Sequence, residues 1–274
     1  MKILKPALLA CATLAFSAMA APQVTSDTSG IDAALNKAIA GSWRDPANVA
    51  RDKYRHPRET LEFFGLTPNM TVVQLWPGNG WYTEILAPVL SEHGQLIDAA
   101  VPPKGDSESD NTVRYLAKLK ATPSVYGKVR VVDFMPPAKM DLGAPESADM
   151  VLTFRNLHNW QGQGQLDAVF AAAFKVLKHG GVFGVAEHRA PAGKTVDETF
   201  QTGYMPVDYV IQEAEKAGFK LAGRSEINAN PKDTKDYPKG VWTLPPTYRL
   251  GDKDKAKYAA IGESDRMTLR FVKP

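Results

Sequence analysis

Two polar stretches of this 274-residue chain carry side chains that can bind anions and move protons. FRNLHNW follows an apolar run and contains Arg155 and His158, and EHR follows a later apolar run and begins at Glu187. A guanidinium can hold a carboxylate through two parallel hydrogen bonds, and an imidazole can act as a general base toward a hydroxyl or amine. Arg155, His158 and Glu187 are therefore the candidate catalytic residues, and Glu187 is expected to fix one of the other two.

Each of these residues also has a purely structural interpretation. Arg155 could form a salt bridge with a neighbouring acid, His158 could cap a helix or brace its loop, and Glu187 could cap the adjoining loop. No metal site is predicted, because the histidines and acids lack the helical or hairpin spacing that would bring two ligands to one ion.

A glycine turn is the second candidate feature. The stretch VVQLWPGNGWYTEILAP, residues 72–88, reads as a buried strand, a turn with Gly78 and Gly80, and a helix. Such a turn gathers free backbone N–H groups at the start of a helix, and glycine lets a ligand approach that backbone closely. A glycine pair alone also fits an ordinary strand-to-helix turn. Its place after the first strand predicts a ligand site at the carboxyl edge of a sheet.

The elements that must position these residues alternate between short apolar runs and amphipathic segments. The apolar runs predict strands over residues 71–75, 95–101, 129–132, 150–154, 182–187, 220–228 and 267–272. Predicted helices separate most of them, over residues 82–92, 111–121, 166–177 and 207–217. This alternation, with strands apolar on both faces, is typical of an α/β fold with a doubly wound sheet between two layers of helices.

Two segments do not follow the alternation. Residues 21–69 predict a polar arm followed by a helical cap on the main domain, which spans residues 70–274. Residues 231–262 form an insertion before the last strand, too apolar for a linker and too irregular for a helix, with Trp242 and Pro245 in it. The insertion is interpreted either as a lid over the ligand site or as an ordered surface flap.

The first twenty residues predict a cleaved signal peptide. Lys2 and Lys5 precede an apolar run that ends in small residues at Ala20, and the run is shorter than a membrane span. We therefore expect a periplasmic or secreted protein with no stable membrane insertion after cleavage. The only cysteine, Cys11, leaves with the peptide, so the mature chain has neither a disulfide nor a thiolate.

The charge balance argues against polyanionic partners. The formal net charge of +3 falls by two when the signal lysines are removed, which leaves no strong field for nucleic acid or an anionic membrane. A small molecule is the expected partner, and the oligomeric state is not predicted. The stretch IGESDRMTL places Glu263, Asp265 and Arg266 before the last strand, and such mixed charges usually form a solvated or self-paired turn.

From residue 70 to the end, the chain resembles the class I S-adenosylmethionine-dependent methyltransferases. In that family the first strand reads acid-x-Gly-x-Gly-x-Gly, and QLWPGNG is similar to it at Gly78 and Gly80. VVDF places Asp133 after the third strand, VLTFRNLHNW is similar to the fourth strand with its active-site continuation, and FKVLKHGGVFGVAEH to the fifth. WPGNGWYTEILAP, FRNLHNW and IGESDRMTL also resemble a group of predicted, exported bacterial methyltransferases.

This resemblance implies a Rossmann-like sheet of seven strands with an antiparallel last strand, and S-adenosylmethionine as cofactor. It places the cofactor-binding residues at Gln74, Gly78, Asn79, Gly80, Asp133 and Thr153. His158 is then a possible base for methyl transfer to an unidentified small molecule. The alternative is an exported, non-catalytic binding protein on a degenerate methyltransferase fold.

Three positions depart from the family's pattern. Gln74 stands in place of the first-strand acid, and Ala100 in place of the acid that holds the ribose hydroxyls. An amide can accept and donate hydrogen bonds but cannot balance the charge of an ammonium group. Trp76 replaces a glycine, so it is expected either to stack on a ligand or to plug the crevice.

Overall fold

A seven-stranded mixed sheet forms the centre of the computed structural model, which describes Met1 and residues 28–105, 107 and 110–274. The strands are β1 (Thr71–Leu75), β2 (Gln95–Ala100), β3 (Arg130–Asp133), β4 (Ala148–Phe154), β5 (Leu177–His188), β6 (Lys220–Ser225) and β7 (Arg266–Val272). Their spatial order is β3-β2-β1-β4-β5-β7-β6. β1 to β5 run parallel to one another, and β7 is antiparallel to both β5 and β6. The predicted Rossmann-like sheet with an antiparallel last strand is confirmed.

Helices cover both faces of this sheet. They are α1 (Thr28–Ile39), α2 (Pro46–Val49), α3 (Asp52–Arg55), α4 (Pro57–Phe64), α5 (Thr83–Leu90), α6 (Asn111–Ala121), α7 (Pro123–Tyr126), α8 (Leu157–Gly162), α9 (Leu166–Val176), α10 (Val196–Thr199), α11 (Val207–Lys216) and α12 (Lys255–Ile261). Short 3-10 turns lie at Phe200–Thr202 and Gly240–Thr243. Within the described ranges, no helix combines the length and the apolar character needed to cross a membrane.

Two buried clusters, one on each face, follow from the alternation of side chains along the strands. Val72 of β1 packs with α1, α4 and α5, whereas its neighbour Val73 packs with α8, α9 and α11. Adjacent residues of a strand point to opposite faces, so an apolar strand contributes to both clusters. The helical cap supplies Leu35 and Phe64 to the first cluster, and both are fully buried. The cap is therefore part of the packed structure on one side of the sheet.

Some sequence expectations lie outside the described residues or need correction. The predicted signal peptide, residues 1–20, lies outside them apart from Met1, as do residues 21–27 of the arm. The insertion, residues 231–262, was expected to lack helices, but α12 forms within it. The helix begins after Asp254 and ends at Gly262, where φ is 88°. The expectation was wrong because seven residues, just under two helical turns, are too few for hydrophobic periodicity to be recognised.

Candidate functional site

The site begins where β1 ends, at a turn that bends sharply away from the strand. Trp76 and Gly78 both have left-handed backbone conformations, with φ of 46° and 59°. A left-handed conformation is unusual for a tryptophan, and such residues cluster at functional sites. The N–H of Trp76 still donates to Ala99 O at 2.8 Å, so the chain leaves the sheet directly after it.

The two glycines of this turn have different physical reasons to be glycine. A Cβ added to Gly78 would meet no atom within 4 Å, so the backbone there faces open space. A Cβ added to Gly80, where φ is 79°, would lie 2.8 Å from a ring carbon of Tyr115. Gly78 is thus accessible to a ligand, whereas Gly80 is required for packing against α6.

The indole of Trp76 is held by the protein. Its Nε1 donates to Phe134 O at 3.0 Å, and its ring lies 4.8 Å from that of Trp160. These contacts support the interpretation that Trp76 plugs the crevice: its side chain packs against the protein and fills part of the crevice at the carboxyl edge of the sheet. Its ring separates two cavities, and it contributes to the lining of both.

Gln74, which stands at the position of the family's first-strand acid, belongs to a buried polar network beneath the turn. The hydroxyl of Thr83 lies 3.2 Å from Gln74 Oε1 and 3.0 Å from Asp98 Oδ2, and Tyr115 donates a short hydrogen bond to the same oxygen of Asp98. Burial raises the pKa of Asp98 to about 7, against the opposing effect of these hydrogen bonds. Asp98 therefore supports the turn from below and takes no part in lining either cavity.

The loop after β4 is the second component of the site. Arg155 has φ of 62°, and its N–H donates to Ala186 O at 2.8 Å. The side-chain amide of Asn156 donates to Leu75 O at 3.1 Å and lies 3.4 Å from Trp76 O. This amide ties the loop after β4 to the glycine turn after β1, and so fixes the distance between the two.

His158 and Glu187 form a hydrogen-bonded pair, as the sequence suggested. Nδ1 of His158 lies 3.0 Å from Oε1 of Glu187, which also accepts from the N–H of His188 at 2.8 Å. The other oxygen of Glu187 accepts from Leu157 N at 2.6 Å. A carboxylate can only accept, so this contact assigns the proton of a neutral His158 ring to Nδ1 and leaves Nε2 as an acceptor. His158 lines the first cavity.

His188 completes this group and makes it a possible metal site on distance alone. His158, Glu187 and His188 each offer a ligand atom within 4.8 Å of the others, although their sequence spacing did not predict it. They meet because β4 and β5 are neighbours. Both oxygens of Glu187 already accept hydrogen bonds, and Nδ1 of His188 lies 2.5 Å from Ser264 Oγ. These contacts fit a histidine that is oriented by a carboxylate better than they fit a metal centre.

The first cavity has a volume of about 340 Å³ and lies between the glycine turn, the loop after β4 and the insertion. The residues on the sheet side are Gln74, Trp76, Gly78, Asn79, Arg155, Asn156, His158 and His188. The helical cap and the insertion supply Asn48, Arg51, Arg55, Val241, Trp242, Pro245, Pro246 and Thr247, and the turn before β7 supplies Glu263 and Ser264. Three separate parts of the chain therefore enclose one polar cavity.

The second cavity, of about 380 Å³, lies on the other side of Trp76. Its described lining includes Gly78, Ala100, Asp110, Tyr115 and Asn156. Ala100 stands at the end of β2, where the family's ribose-binding acid would be. Asp110 is the acid in this lining, and its carboxylate accepts from three backbone N–H groups around the start of α6.

Glu263 is the residue whose environment differs most from the expectation. The turn is self-paired, which was one of its two expected forms, since Glu263 accepts from Arg266 Nη2 at 2.7 Å. Glu263 is also only 3% exposed, and it accepts from Arg51 Nε at 2.6 Å and from Arg55 Nε at 3.1 Å. Burial disfavours its charged form, but the nearby arginines, Arg55 first, outweigh burial and hold the pKa of Glu263 far below its usual value. The mixed charges before β7 pair across the fold because the cap brings two arginines to them.

Three of the proposed cofactor residues, Gly80, Asp133 and Thr153, do not line either cavity. Asp133 is exposed and forms an ion pair with Lys139, and Thr153 is fully buried in β4, where its hydroxyl accepts from Asn156 at 3.3 Å. Asn79 lines the first cavity. The residues that sequence reasoning missed are Arg51, Arg55 and Asn156. Arg51 and Arg55 carry no motif, and only the packing of the cap on the sheet brings them to the site.

No family model matches the sequence, and no curated protein sequence matches it either. Solved structures with the same fold are found. A SAM-dependent methyltransferase from Aquifex aeolicus is 15% identical with a TM-score of 0.54, over 91% of this chain and 100% of that chain. The [4+2]-cyclase SpnF is 17% identical with a TM-score of 0.56, over 90% of this chain and 94% of that chain.

A third similar structure was solved with an analogue of the cofactor. The glycopeptide N-methyltransferase MtfA, complexed with sinefungin, is 13% identical with a TM-score of 0.50, over 80% of this chain and 93% of that chain. Similarity at this level of identity establishes a fold, and a fold can support more than one reaction. SpnF, for example, has this fold and is named for a [4+2]-cyclase reaction.

Proposed function

On the fold that it shares with these proteins, we propose that this protein transfers a methyl group from S-adenosylmethionine to a small molecule. The observation that carries the proposal is the pair of cavities that meet at Trp76 and Gly78. They lie at the carboxyl edge of the sheet, where folds of this kind bind their ligands. One cavity is next to a histidine that can accept a proton, and the other is next to the helix that follows β2.

The residues present fit the cofactor at the glycine turn. The open backbone at Gly78 provides a close approach for a ligand, and Asn79 and Gln74 lie beside it in the first cavity. Arg155 can pair with the carboxylate of the cofactor's amino-acid part, which takes over some of the binding lost with the first-strand acid. The second cavity, with Asp110 in place of an acid at Ala100, would hold the nucleoside part.

His158 is the residue that we propose as general base. When bound, the cofactor supplies a methyl group on a positively charged sulfur, and the protein must align the acceptor and remove its proton. Nε2 of His158 can take that proton, because Nδ1 is held by Glu187. Glu187 acts as a positioning residue, since it fixes the orientation of the ring and stabilises the imidazolium that forms.

The insertion is proposed to exclude water from the first cavity. Trp242 lies 5.9 Å from His158 between ring centres, and Pro245 and Pro246 also line the cavity. Apolar groups over a proton acceptor strengthen electrostatic interactions beneath them, because they remove the competing solvent. This assigns the lid interpretation, rather than the surface flap, to residues 231–262.

Calorimetry with S-adenosylmethionine and S-adenosylhomocysteine tests the proposal directly. We expect binding at micromolar strength that weakens about tenfold or more in Gly78→Gln, because the added side chain occupies the space that the ligand needs. Gly164→Gln is the matched control, since Gly164 has φ of 66° and open space around its Cβ position but lies outside both cavities.

Absence of heat at millimolar concentrations of both ligands would refute the proposal. The non-catalytic alternative would then account for the fold. Equal affinities in the two glycine variants and the natural sequence would show that the ligand binds away from the turn.

We also propose that the protein acts after export, in the periplasm or outside the cell. The support is the sequence of residues 1–20, with two lysines, an apolar run and small residues at its end. Intact mass measurement of the protein made in a bacterial host should give a chain that begins at Ala21. A full-length chain recovered from the cytoplasm would contradict this proposal.

A further inference from the structure

We propose that Arg51, Arg55 and Arg155 form an anion-binding site in the first cavity, and that the substrate carries a carboxylate or phosphate group that binds there. We call these three residues the arginine cluster. The inference deepens the proposed function and rests on it only in calling the bound anion a substrate.

The arginine cluster joins two parts of the fold at one cavity. Arg51 and Arg55 lie at the start and end of α3 in the helical cap, and Arg155 follows β4. All three line the first cavity together with His158. The guanidinium of Arg55 also lies 4.7 Å from the ring centre of Trp81, which holds it in place by a cation–π contact. An anion bound by the cluster is therefore in the same cavity as the proposed base.

The charges around this cavity do not balance. Glu263 is the acid in the lining, and it is shared among Arg51, Arg55 and Arg266, the last of which lies behind it. Arg155 has no ion-pair partner among the residues that the structure describes. Three guanidinium groups thus line the cavity with one carboxylate, and the other nearby acid, Glu187, is engaged by His158.

Several of the guanidinium nitrogens lack acceptors. Nη2 of Arg51 and Nη2 of Arg55 are buried and find no hydrogen-bond partner, although Arg55 as a whole is only 2% exposed. No hydrogen bond from the side chain of Arg155 is formed within the described ranges. A buried donor without a partner is unfavourable by about 1–3 kcal/mol, and more when it is charged. An oxyanion in the cavity would satisfy these donors together.

Repulsion between the arginines of the cluster, seen in their lowered pKa values, also indicates an anion-binding site. Burial lowers the pKa of Arg55, and the charge of Arg155 lowers it further. Burial lowers the pKa of Arg155 to about 10, with Arg266 and Arg51 adding to that effect and Glu263 opposing it. Like charges are held close together at a ligand cavity when the ligand supplies the opposite charge.

The number of arginines argues for an anion in addition to the cofactor's own carboxylate. Arg155, which follows β4, would contact that carboxylate near the glycine turn. Arg51 and Arg55 lie in the cap, and their unpartnered Nη2 atoms remain for a second anion. Arginine presents a planar set of donors that matches the oxygens of carboxylates and phosphates, so the cluster suits these groups better than halides or neutral ligands.

Calorimetry of the mature protein without S-adenosylmethionine, at low ionic strength, tests the inference. Inorganic phosphate and malonate are the probes, and malonamide is the neutral control for malonate. We expect saturable binding of at least one anion and none of malonamide. Arg51→Gln and Arg155→Gln should each weaken that binding about tenfold or more, because hydrogen bonds between charged groups are lost. A preference for phosphate or for malonate identifies which group the substrate carries.

Arg58→Gln is the matched control, since Arg58 lies in the same cap but pairs at the surface with Glu62 and Asp32. Arg51 is the preferred cap variant because its side chain is 22% exposed, whereas Arg55 is buried and its replacement endangers folding. No binding of either anion, or binding that is equal in all variants, would overturn the inference. Anion binding without any binding of S-adenosylmethionine would refute the proposed function alone.

Discussion

The two cavities on either side of Trp76 have buried carboxylates beside them that are stabilised in opposite ways. Glu263, at the first cavity, is surrounded by arginines and remains charged. Asp98, below the second cavity, has hydroxyl partners from Thr83 and Tyr115, and no described cation pairs with it. Glu263 is thus stabilised by paired charges, whereas Asp98 is stabilised by hydrogen bonds from neutral hydroxyl groups.

This difference corresponds to two functions of the crevice, which are to bind a nucleoside and to bind the molecule that reacts. A nucleoside is neutral apart from its polar edges, and the second cavity offers it Ala100, Tyr115 and backbone groups, with one acid, Asp110, and one lysine, Lys104, in its lining. The first cavity offers a proton acceptor and the arginine cluster, which suit an ionic molecule that reacts. The comparison therefore predicts that changes at the first cavity affect chemistry and anion binding, and that changes near the second affect stability through burial.

His158→Gln should have the largest effect, and only at the first cavity. Glutamine keeps a polar side chain of similar length but cannot take up a proton, so kcat should fall by roughly 100-fold to 10,000-fold. The affinity for S-adenosylhomocysteine should stay within about twofold. The assay follows release of S-adenosylhomocysteine with an acceptor that carries a carboxylate or phosphate. His93→Gln, at an exposed histidine between α5 and β2, is the control. Unchanged turnover in His158→Gln would remove the base from the mechanism.

Glu263→Gln comes next, because it removes the shared acceptor of Arg51, Arg55 and Arg266. Breaking a buried ion network by deleting one partner leaves uncompensated charges, so the free energy of unfolding should fall by about 3 kcal/mol. Inorganic phosphate should then raise Tm more in the variant than in the natural sequence, since the anion replaces the lost charge. Urea and thermal unfolding measure the two effects.

Glu226→Gln is the control for this prediction, since Glu226 is exposed and pairs with Arg189 at the surface. Its effect should be below about 1 kcal/mol. If phosphate stabilises Glu263→Gln no more than the natural sequence, the first cavity does not bind anions as described.

Asp98→Asn should affect stability alone, and by an amount that depends on pH. The unfolded chain releases the proton of an aspartate near pH 4, whereas folded Asp98 releases it near pH 7. Between these values the folded state binds a proton that the unfolded state has lost, so the natural protein loses stability as pH rises. Asparagine cannot ionise, so relative to the natural protein the variant should gain stability progressively between pH 4 and pH 7, by about 4 kcal/mol in all for a shift of about three pKa units.

Urea unfolding at several pH values gives this difference. Asp133→Asn, at an exposed carboxylate, is the control and should show no comparable change. A constant difference between Asp98→Asn and the natural sequence across the range would mean that Asp98 is charged in the folded state, and the contrast between the two cavities would be lost.

The fold could be predicted from the sequence because β1, β4 and β5 are continuous apolar runs with turn residues between them. The pairing of His158 with Glu187 could be predicted for the same reason, since both follow neighbouring parallel strands and reach the same edge. The family's pattern was a poorer guide to the contacts of individual residues. Asp133 turns to the surface, where it pairs with Lys139, and Gly80 serves the packing of Tyr115.

The arginine cluster could not be predicted, because its members are about a hundred residues apart and depend on how the cap docks. Arg51 and Arg55 stand in a polar segment with no pattern that points to a ligand. The burial of Glu263 could not be predicted for a related reason. Its pairing with Arg266 is local, but Arg51 and Arg55 lie 212 and 208 residues away along the chain, and no local pattern anticipates such pairs.

The first cavity draws on parts of the chain that lie outside the seven strands, and this has a consequence for how the molecule can diversify. Strand pairing limits which residues can be exchanged in the sheet, whereas α3 and the segment around Trp242 take part in no strand pairing. Substitutions in those two segments can change the accepted molecule while the glycine turn stays the same. In this architecture the residues that select the partner molecule and the residues that activate it can therefore evolve separately.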